Sequence, residues 1–81
     1  MQQGETTTLE ELGVGNRGLI IDIRAGHGLR RRLLEMGFTP GTVVEVLLSN
    51  RGPILVLVRG AVIALGRGVA RKIIVRRINH A

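Results

Sequence analysis

The side chains that could do chemistry in this 81-residue chain are few and widely spaced. There is no cysteine, and the potential metal ligands are His27, His80 and scattered carboxylates such as Asp22 and Glu35. No pair of them has the spacing of three or four residues that would preorganise a metal site on a helix. We therefore predict no strong metal site and no firm cofactor. His27, His80 and Glu35 remain weak candidates for binding a divalent transition metal.

The same residues argue against an enzyme. The chain contains no Ser-His-Asp, Cys-His or paired-carboxylate arrangement that could be placed around a cleft, and a chain of this length leaves little room for one. We expect no catalytic residues and a protein that acts by binding.

Three consecutive arginines form a more informative group: Arg30, Arg31 and Arg32. The apolar periodicity predicts a helix that begins near Leu29, which puts these arginines in its first turn. The helix dipole disfavours cations there by about 0.3 to 1 kcal/mol each. Such a local conflict suggests contact with a partner. The alternative is that the arginines pair with nearby acids, Asp22 or Glu35, or with a C-terminal edge of carbonyl groups.

The predicted helix has one apolar stripe, formed by Leu29, Leu33 and Met36, that is expected to face the core. Leu34 falls nearly opposite this stripe and adds an apolar centre to the basic rim, as in many protein interfaces. Alternatively, the helix lies in a groove and buries both faces. Gly37 is expected to cap the helix, and Pro40 prevents its continuation.

The helix and the turn after it are therefore our candidate docking surface. Its candidate partner-binding residues are Arg30, Arg31, Arg32, Leu34, Phe38, Thr39 and Pro40.

Charge is distributed unevenly along the chain, whose formal net charge is +6. Residues 1–45 hold five arginines and six acids, whereas residues 46–81 hold seven cations and no acid. This bias favours an anionic partner, but it is also compatible with a surface that only keeps a small apolar protein in solution. Nucleic-acid binding is the alternative function, and it is disfavoured because Phe38 is the chain's one aromatic residue.

The elements that must position these residues are mostly strands. Alternating or β-branched segments bounded by glycine and proline predict strands at residues 17–24, 42–48, 53–59, 61–65 and 73–78. In the first strand Ile21 and Ile23 are expected to share a face, opposite Asp22. In the second strand the shared face is predicted to hold Val44, Val46 and Leu48. Five short strands with glycine at nearly every corner favour a strongly bent small barrel.

Short helical turns are expected near both ends. Thr8 and Glu11 fit a capping box at the start of one turn, with Leu9, Leu12 and Val14 packed as a lid, and residues 69–72 fit another. We expect a flexible segment at residues 1–7, one domain at 8–78 and a tail at 79–81. No signal peptide or membrane-spanning run is present, so a cytoplasmic location is expected.

At the level of the whole chain, the sequence resembles the FeoA family of bacterial ferrous iron uptake systems. The resemblance rests on LRRRLLEMGFTPGTVVEV, followed by GPILVLVRG, AVIAL and VARKIIV, and covers about residues 8–78. It implies an SH3-like barrel with one inserted helix, a domain also found at the C-terminus of DtxR-type iron-dependent repressors.

The resemblance further implies an accessory role at the inner face of the membrane, through contact with the cytosolic part of the FeoB permease. Exposed apolar residues on a strand edge leave self-association open. No repressor DNA-binding helices precede the barrel, so a free-standing protein is expected.

Overall fold

The computed structural model of the chain describes residues 4–78. These residues form six antiparallel strands and three helices. In chain order the elements are β1 (Thr6–Thr8), α1 (Leu9–Leu12), β2 (Arg17–Ile23), α2 (His27–Glu35), β3 (Val43–Ser49), β4 (Ile54–Val58), β5 (Ala61–Leu65), α3 (Arg67–Ala70) and β6 (Ile73–Ile78). The strands make one sheet in the order β1-β6-β2-β3-β4-β5, and this sheet is not closed on itself. The predicted mainly β fold with one inserted helix and two short helical turns is confirmed.

The strand count differs from the expected five because β1 lies in the segment expected to be flexible. Thr6 and Thr8 pair with Arg76 and Ile74 of β6. The Arg77 amide also donates to the Glu5 carbonyl at 2.8 Å. Threonine has a high strand propensity, but three residues are too few to show the alternation of a strand. Thr8 also fits the cap of the following helical turn, so the sequence indicated a helix start at this point and no strand. Residues 1–3 and the tail at 79–81 lie outside the described residues.

Helix α1 begins at the predicted cap. The Thr8 hydroxyl accepts a hydrogen bond from the Glu11 amide at 3.2 Å. The return bond of a capping box is replaced, since the Glu11 carboxylate accepts from the Thr7 hydroxyl at 3.4 Å. Leu9 and Leu12 are buried as expected, but Val14 is 54% exposed and is not part of the lid.

A β-bulge in β2 changes which of its side chains share a face, so the predicted faces were wrong. Its pairing with β6 shifts register between Ile20 and Asp22. Ile20 and Ile23 are therefore the buried pair, and Ile21 is only half-buried. One extra residue in a strand inverts the alternation beyond it, which a period of two cannot anticipate.

Strand β3 contains a second irregularity. Val44 and Val46 face the core as predicted. The pairing with β4 shifts register between Val46 and Leu48, so Leu47 and Leu48 are both exposed. The expectation that Leu48 shares the core face was therefore wrong.

The core between the sheet and the helices is almost entirely aliphatic. Burying it supplies the main favourable term in folding, since the chain has no disulfide to help. The buried cluster consists of Leu9, Leu12, Ile20, Ile23, Leu33, Phe38, Val44, Val46, Ile54, Val56, Val58, Leu65, Ala70, Ile73 and Val75.

Candidate functional site

Helix α2 begins earlier than its sequence pattern indicated. It starts at His27, after Gly26, which provides no side-chain cap. The three arginines are therefore its fourth to sixth residues, from the end of the first turn into the second, and the expectation that all three occupy the first turn was wrong. Because the dipole effect falls off within one turn, their placement is not the electrostatic conflict it seemed to be.

Arg30 differs from its two neighbours because it is anchored. Its Nη1 donates a 2.6 Å hydrogen bond to the carbonyl of Ile23, at the end of β2. The same nitrogen lies 3.7 Å from Asp22 Oδ1. For this arginine, the alternative of pairing with a nearby acid is what the structure shows. Arg30 joins the start of α2 to the sheet.

Arg31 and Arg32 are exposed instead. In the part of the chain that the structure describes, neither side chain forms a hydrogen bond or an ion pair, and the same is true of the Glu35 side chain. Both arginines line an open surface pocket together with His27 and Gly28 at the start of the helix. Their guanidinium groups are therefore free to meet an external anion.

The end of α2 is a complete Schellman motif. The Phe38 amide donates to the Leu33 carbonyl at 3.0 Å, and the Gly37 amide donates to the Leu34 carbonyl at 3.1 Å. Gly37 has φ +106, as the predicted glycine cap requires. Leu33 and Phe38, the two positions between which this motif typically has an apolar contact, are both buried in the core cluster.

The apolar residues of α2 are not arranged as expected. Phe38 is 0% exposed, so its side chain belongs to the core and is not accessible to a partner. Leu34 is half-buried against the core cluster, which matches the alternative in which the helix buries more than one stripe. Met36, predicted to be in the core, is 41% exposed. Met36 is therefore the apolar side chain that α2 presents to solvent.

A type II turn follows the helix. The Thr42 amide donates to the Thr39 carbonyl at 3.0 Å, Pro40 occupies the second position, and Gly41 has φ +95. The hydroxyls of Thr39 and Thr42 are 2.8 Å apart. Pro40 is exposed on this rigid turn, while Thr39 is half-buried.

Arg59 lies beside this turn, although sequence reasoning did not select it. It occupies the two-residue turn between β4 and β5, and its Nη2 donates to the Thr39 hydroxyl at 3.5 Å. Its Cδ is 3.2 Å from the position that a Cβ on Gly37 would take. The Arg-Gly pair between two apolar strands signals the turn, but only the tertiary fold brings it to the end of α2.

These residues define a surface that we call the α2 surface. Its members are exposed side chains on the helix, the type II turn and the β4–β5 turn: Arg31, Arg32, Glu35, Met36, Pro40 and Arg59.

Of the weak metal candidates, His27 and Glu35 lie far apart. His27 and Glu35 are the first and last residues of α2, so about 12 Å of helix axis separates them. His80 lies outside the described residues. Within residues 4–78 there is no cluster of three or more His, Cys, Asp or Glu side chains placed to hold a metal ion.

The longest helix of residues 4–78 has nine residues, and none of the helices described there is long and apolar enough to cross a bilayer.

A family model described as the FeoA domain matches residues 7–77. The chain belongs to the FeoA family. It is 38% identical, over 61 residues, to an Fe(2+) transport protein A of Methanocaldococcus jannaschii, a match that covers 75% of this chain and 74% of that protein. The resemblance noted in the sequence is thereby confirmed.

Solved structures of FeoA proteins share the fold. An FeoA crystal structure, described as an iron uptake regulatory protein, is 38% identical, covers 90% of this chain and 97% of its own, and has a TM-score of 0.83. Stenotrophomonas maltophilia FeoA complexed with zinc, described as a procaryotic SH3 domain protein, is 28% identical with a TM-score of 0.78. That match covers 85% of this chain and 88% of the other.

A manganese-dependent transcriptional repressor is similar at 22% identity, with a TM-score of 0.83 over 96% of this chain and 45% of the repressor. At this identity the likeness concerns the fold alone. The predicted SH3-like architecture, shared by FeoA proteins and repressors, is confirmed.

Proposed function

We propose that this protein is a non-enzymatic, cytosolic accessory protein of ferrous iron uptake that acts by contact with the cytosolic part of a FeoB-type permease. Membership of the FeoA family supports the pathway. The M. jannaschii relative is named for Fe(2+) transport, and the S. maltophilia protein is described as a proposed activating factor of ferrous iron transport.

The observation that carries the contact is the pair Arg31 and Arg32 on the α2 surface. Both are exposed and lack an intramolecular partner in the described part of the chain. Met36 lies on the same helix, and arginine and methionine are enriched in protein interfaces. The Schellman motif and the type II turn hold the neighbouring backbone in place, which lowers the entropy lost on binding. An acidic face on the permease would suit this surface.

The structure also weakens the alternative of nucleic-acid binding. Phe38 is the chain's one aromatic residue and is buried. No aromatic side chain is therefore available for base stacking, and backbone contacts alone would bind weakly at physiological salt.

The test is the association of the double variant R31E/R32E with the purified cytosolic domain of a FeoB permease. We expect a loss of affinity of about tenfold or more, because both charges face the partner. Calorimetry or biolayer interferometry gives the affinity, and ferrous iron uptake in cells lacking the native protein gives the function.

The matched control is R51E/R76E, which changes the net charge equally on the β3–β4 loop and on β6. It is expected to bind within about threefold of wild type, since only general charge is altered. Wild-type binding and uptake by a folded R31E/R32E protein would contradict the proposal.

A further inference from the structure

The two edges of the sheet differ in how well they are protected against pairing with another chain. Strand β1 forms one edge and has only three residues, all threonine. Strand β5 forms the other edge, with five residues paired to β4 in unbroken register. Its sequence, AVIAL, contains no charge and no proline. Proteins usually block an edge with charges, proline, bulges or short strands, and β5 has none of these.

The turn before β5 determines which backbone groups face outward. Arg59 and Gly60 have φ values of +52 and +81, the geometry of a type I′ hairpin turn. In such a hairpin the residues that flank the turn bond to each other, so Ala61 and Ile63 bond to β4. The N–H and C=O groups of Val62 and Ala64 therefore point to the free edge. Among the described residues, β4 is the one strand that pairs with β5.

A groove lies at the end of this edge. It has a volume of about 200 Å³ and lies between Leu29 of α2 with Met36, which follows this helix, and the end of β5, which contributes Ala64 and Leu65. Arg32 forms part of its wall. A strand added to β5 would turn alternate side chains toward this groove and the others toward the exposed side of Val62.

Charge indicates what kind of segment would fit. Arg32 on the groove wall has no ion-pair partner within residues 4–78. Arg59 is exposed at the end of the edge where β5 begins. Residues 46–78 contain no acid, and Glu35 on α2 forms no ion pair with Arg32 or Arg59 within residues 4–78. An incoming strand with acidic residues at its ends would satisfy both arginines.

A second copy of the chain fits less well. Each copy has a net charge of +6, and β5 itself contributes no acid that could pair with Arg32 or Arg59 of the other copy. Repulsion between two basic copies disfavours such a pair.

We propose that β5 is a strand-addition site for an extended segment of a partner protein, apolar at its centre and acidic at its ends. Backbone hydrogen bonds to Val62 and Ala64 supply the affinity, as in other cases of strand addition. The strand-addition site shares Arg32 and Arg59 with the α2 surface, but its affinity comes from the backbone of β5, and the proposal does not depend on which protein supplies the segment.

The test uses the full chain and a labelled synthetic peptide, EEVTVTVEE, with fluorescence anisotropy as the measurement. Saturable binding is expected, and replacing the glutamates by lysine in KKVTVTVKK should weaken it by about tenfold or more at low salt. Hydrogen exchange followed by NMR should show that peptide slows exchange of the Val62 and Ala64 amides, whereas Ala61 and Ile63 are protected beforehand.

The matched variants are A64P and A64S. Proline removes one outward N–H while keeping the bonds to β4, and serine keeps the N–H. A64P should bind the acidic peptide about tenfold more weakly, and A64S within about twofold of wild type. If A64P does not fold, V62P removes the other outward N–H, and the exchange experiment on the wild-type protein shows whether the peptide binds at this edge.

Three results would overturn the proposal: no saturable binding, equal binding of both peptides, or wild-type binding by folded A64P. Self-association that protects the Val62 and Ala64 amides without peptide would also overturn it, in favour of a second copy. The peptide test is carried out without FeoB, so the result of R31E/R32E in FeoB association does not decide it, although Arg32 belongs to both sites.

Discussion

Glu10 is the acid on which two arginines from the opposite end of the chain converge. Its two carboxylate oxygens accept 3.0 Å hydrogen bonds from Arg71 Nε and Nη2, and Arg67 Nη1 lies 3.9 Å away. These contacts join α1 to α3. The hydrogen bond from Arg71 lowers the pKa of Glu10 below its usual value of 4.5, against an opposing effect of burial.

This lowered pKa makes the stability of the protein depend on pH. A carboxyl whose pKa is lower in the folded state stabilises the fold above its unfolded pKa and loses that effect as pH falls through the folded value. We expect Glu10→Gln to lower the free energy of unfolding near neutral pH, and the difference from wild type to shrink below about pH 4. Urea denaturation at a series of pH values measures it.

The control for Glu10 is Glu35→Gln, since Glu35 is exposed and has no ion pair within residues 4–78. A loss of stability at neutral pH that is as large for this variant as for Glu10→Gln would contradict the assignment of the effect to the contact with Arg71.

At the scale of the element, α2 separates three consecutive arginines into two roles. Arg30 is bonded to the end of β2, whereas Arg31 and Arg32 extend into solvent. The difference follows from the rotation of about 100° per residue along a helix, which turns one of the three toward the sheet. The sequence alone showed three equivalent residues.

Alanine substitution should reveal the two roles. Arg30→Ala is expected to lower the free energy of unfolding by about 1 kcal/mol, because a charged hydrogen bond to the Ile23 carbonyl is lost from a partly exposed site. Arg31→Ala and Arg32→Ala should each change it by less than about 0.5 kcal/mol. Denaturant unfolding compares the three variants, and equal effects would mean that Arg30 does not anchor the helix.

At the scale of the whole molecule, β2, β6 and α1 meet at Gly18. This residue is buried, and a Cβ placed on it would lie 2.9 Å from Val75 Cβ and Cγ2 and 3.3 Å from Leu12 Cδ2. The close approach lets α1 lie directly over the strand pair, and this packing covers one part of the core.

Gly18→Ala tests this close approach. We expect a loss of about 1 to 3 kcal/mol in the free energy of unfolding, because Val75 and Leu12 must shift to admit one methyl group. Gly52→Ala, at a loop position with open space around it, is the control and should change stability by less than about 0.5 kcal/mol. If thermal unfolding shows the same stability for Gly18→Ala as for wild type, the neighbouring side chains can move aside without a loss of free energy.

Much of the fold was predictable because its signals are local. Thr8 as a cap, Gly37 at positive φ and strand β6 at residues 73–78 all occur as predicted. The faces of β2 and β3 were not, because each bulge adds one residue whose position depends on the partner strand.

The candidate site was predictable only in part. Arg31, Arg32 and Pro40 are exposed as the docking prediction requires, but Phe38 is buried and Arg59 joins the surface from a distant turn. A helical wheel shows which side chains share a face of the helix, but it does not show which of them pack into the core. The exchange of roles between Leu34 and Met36 has this cause.

The sequence by itself determined the positions of β2 to β6 to within one residue at each end, the aliphatic nature of the core and the basic character of residues 46–78. Those features depend on backbone sterics, hydropathy and charge within a few residues of one another. Only the tertiary structure decided which arginine is anchored, which side chains of α2 are exposed, and that β5 has a free edge beside a groove. Each of these depends on how far a neighbouring element lies and in what register it pairs, and that information is absent from any short segment of the chain.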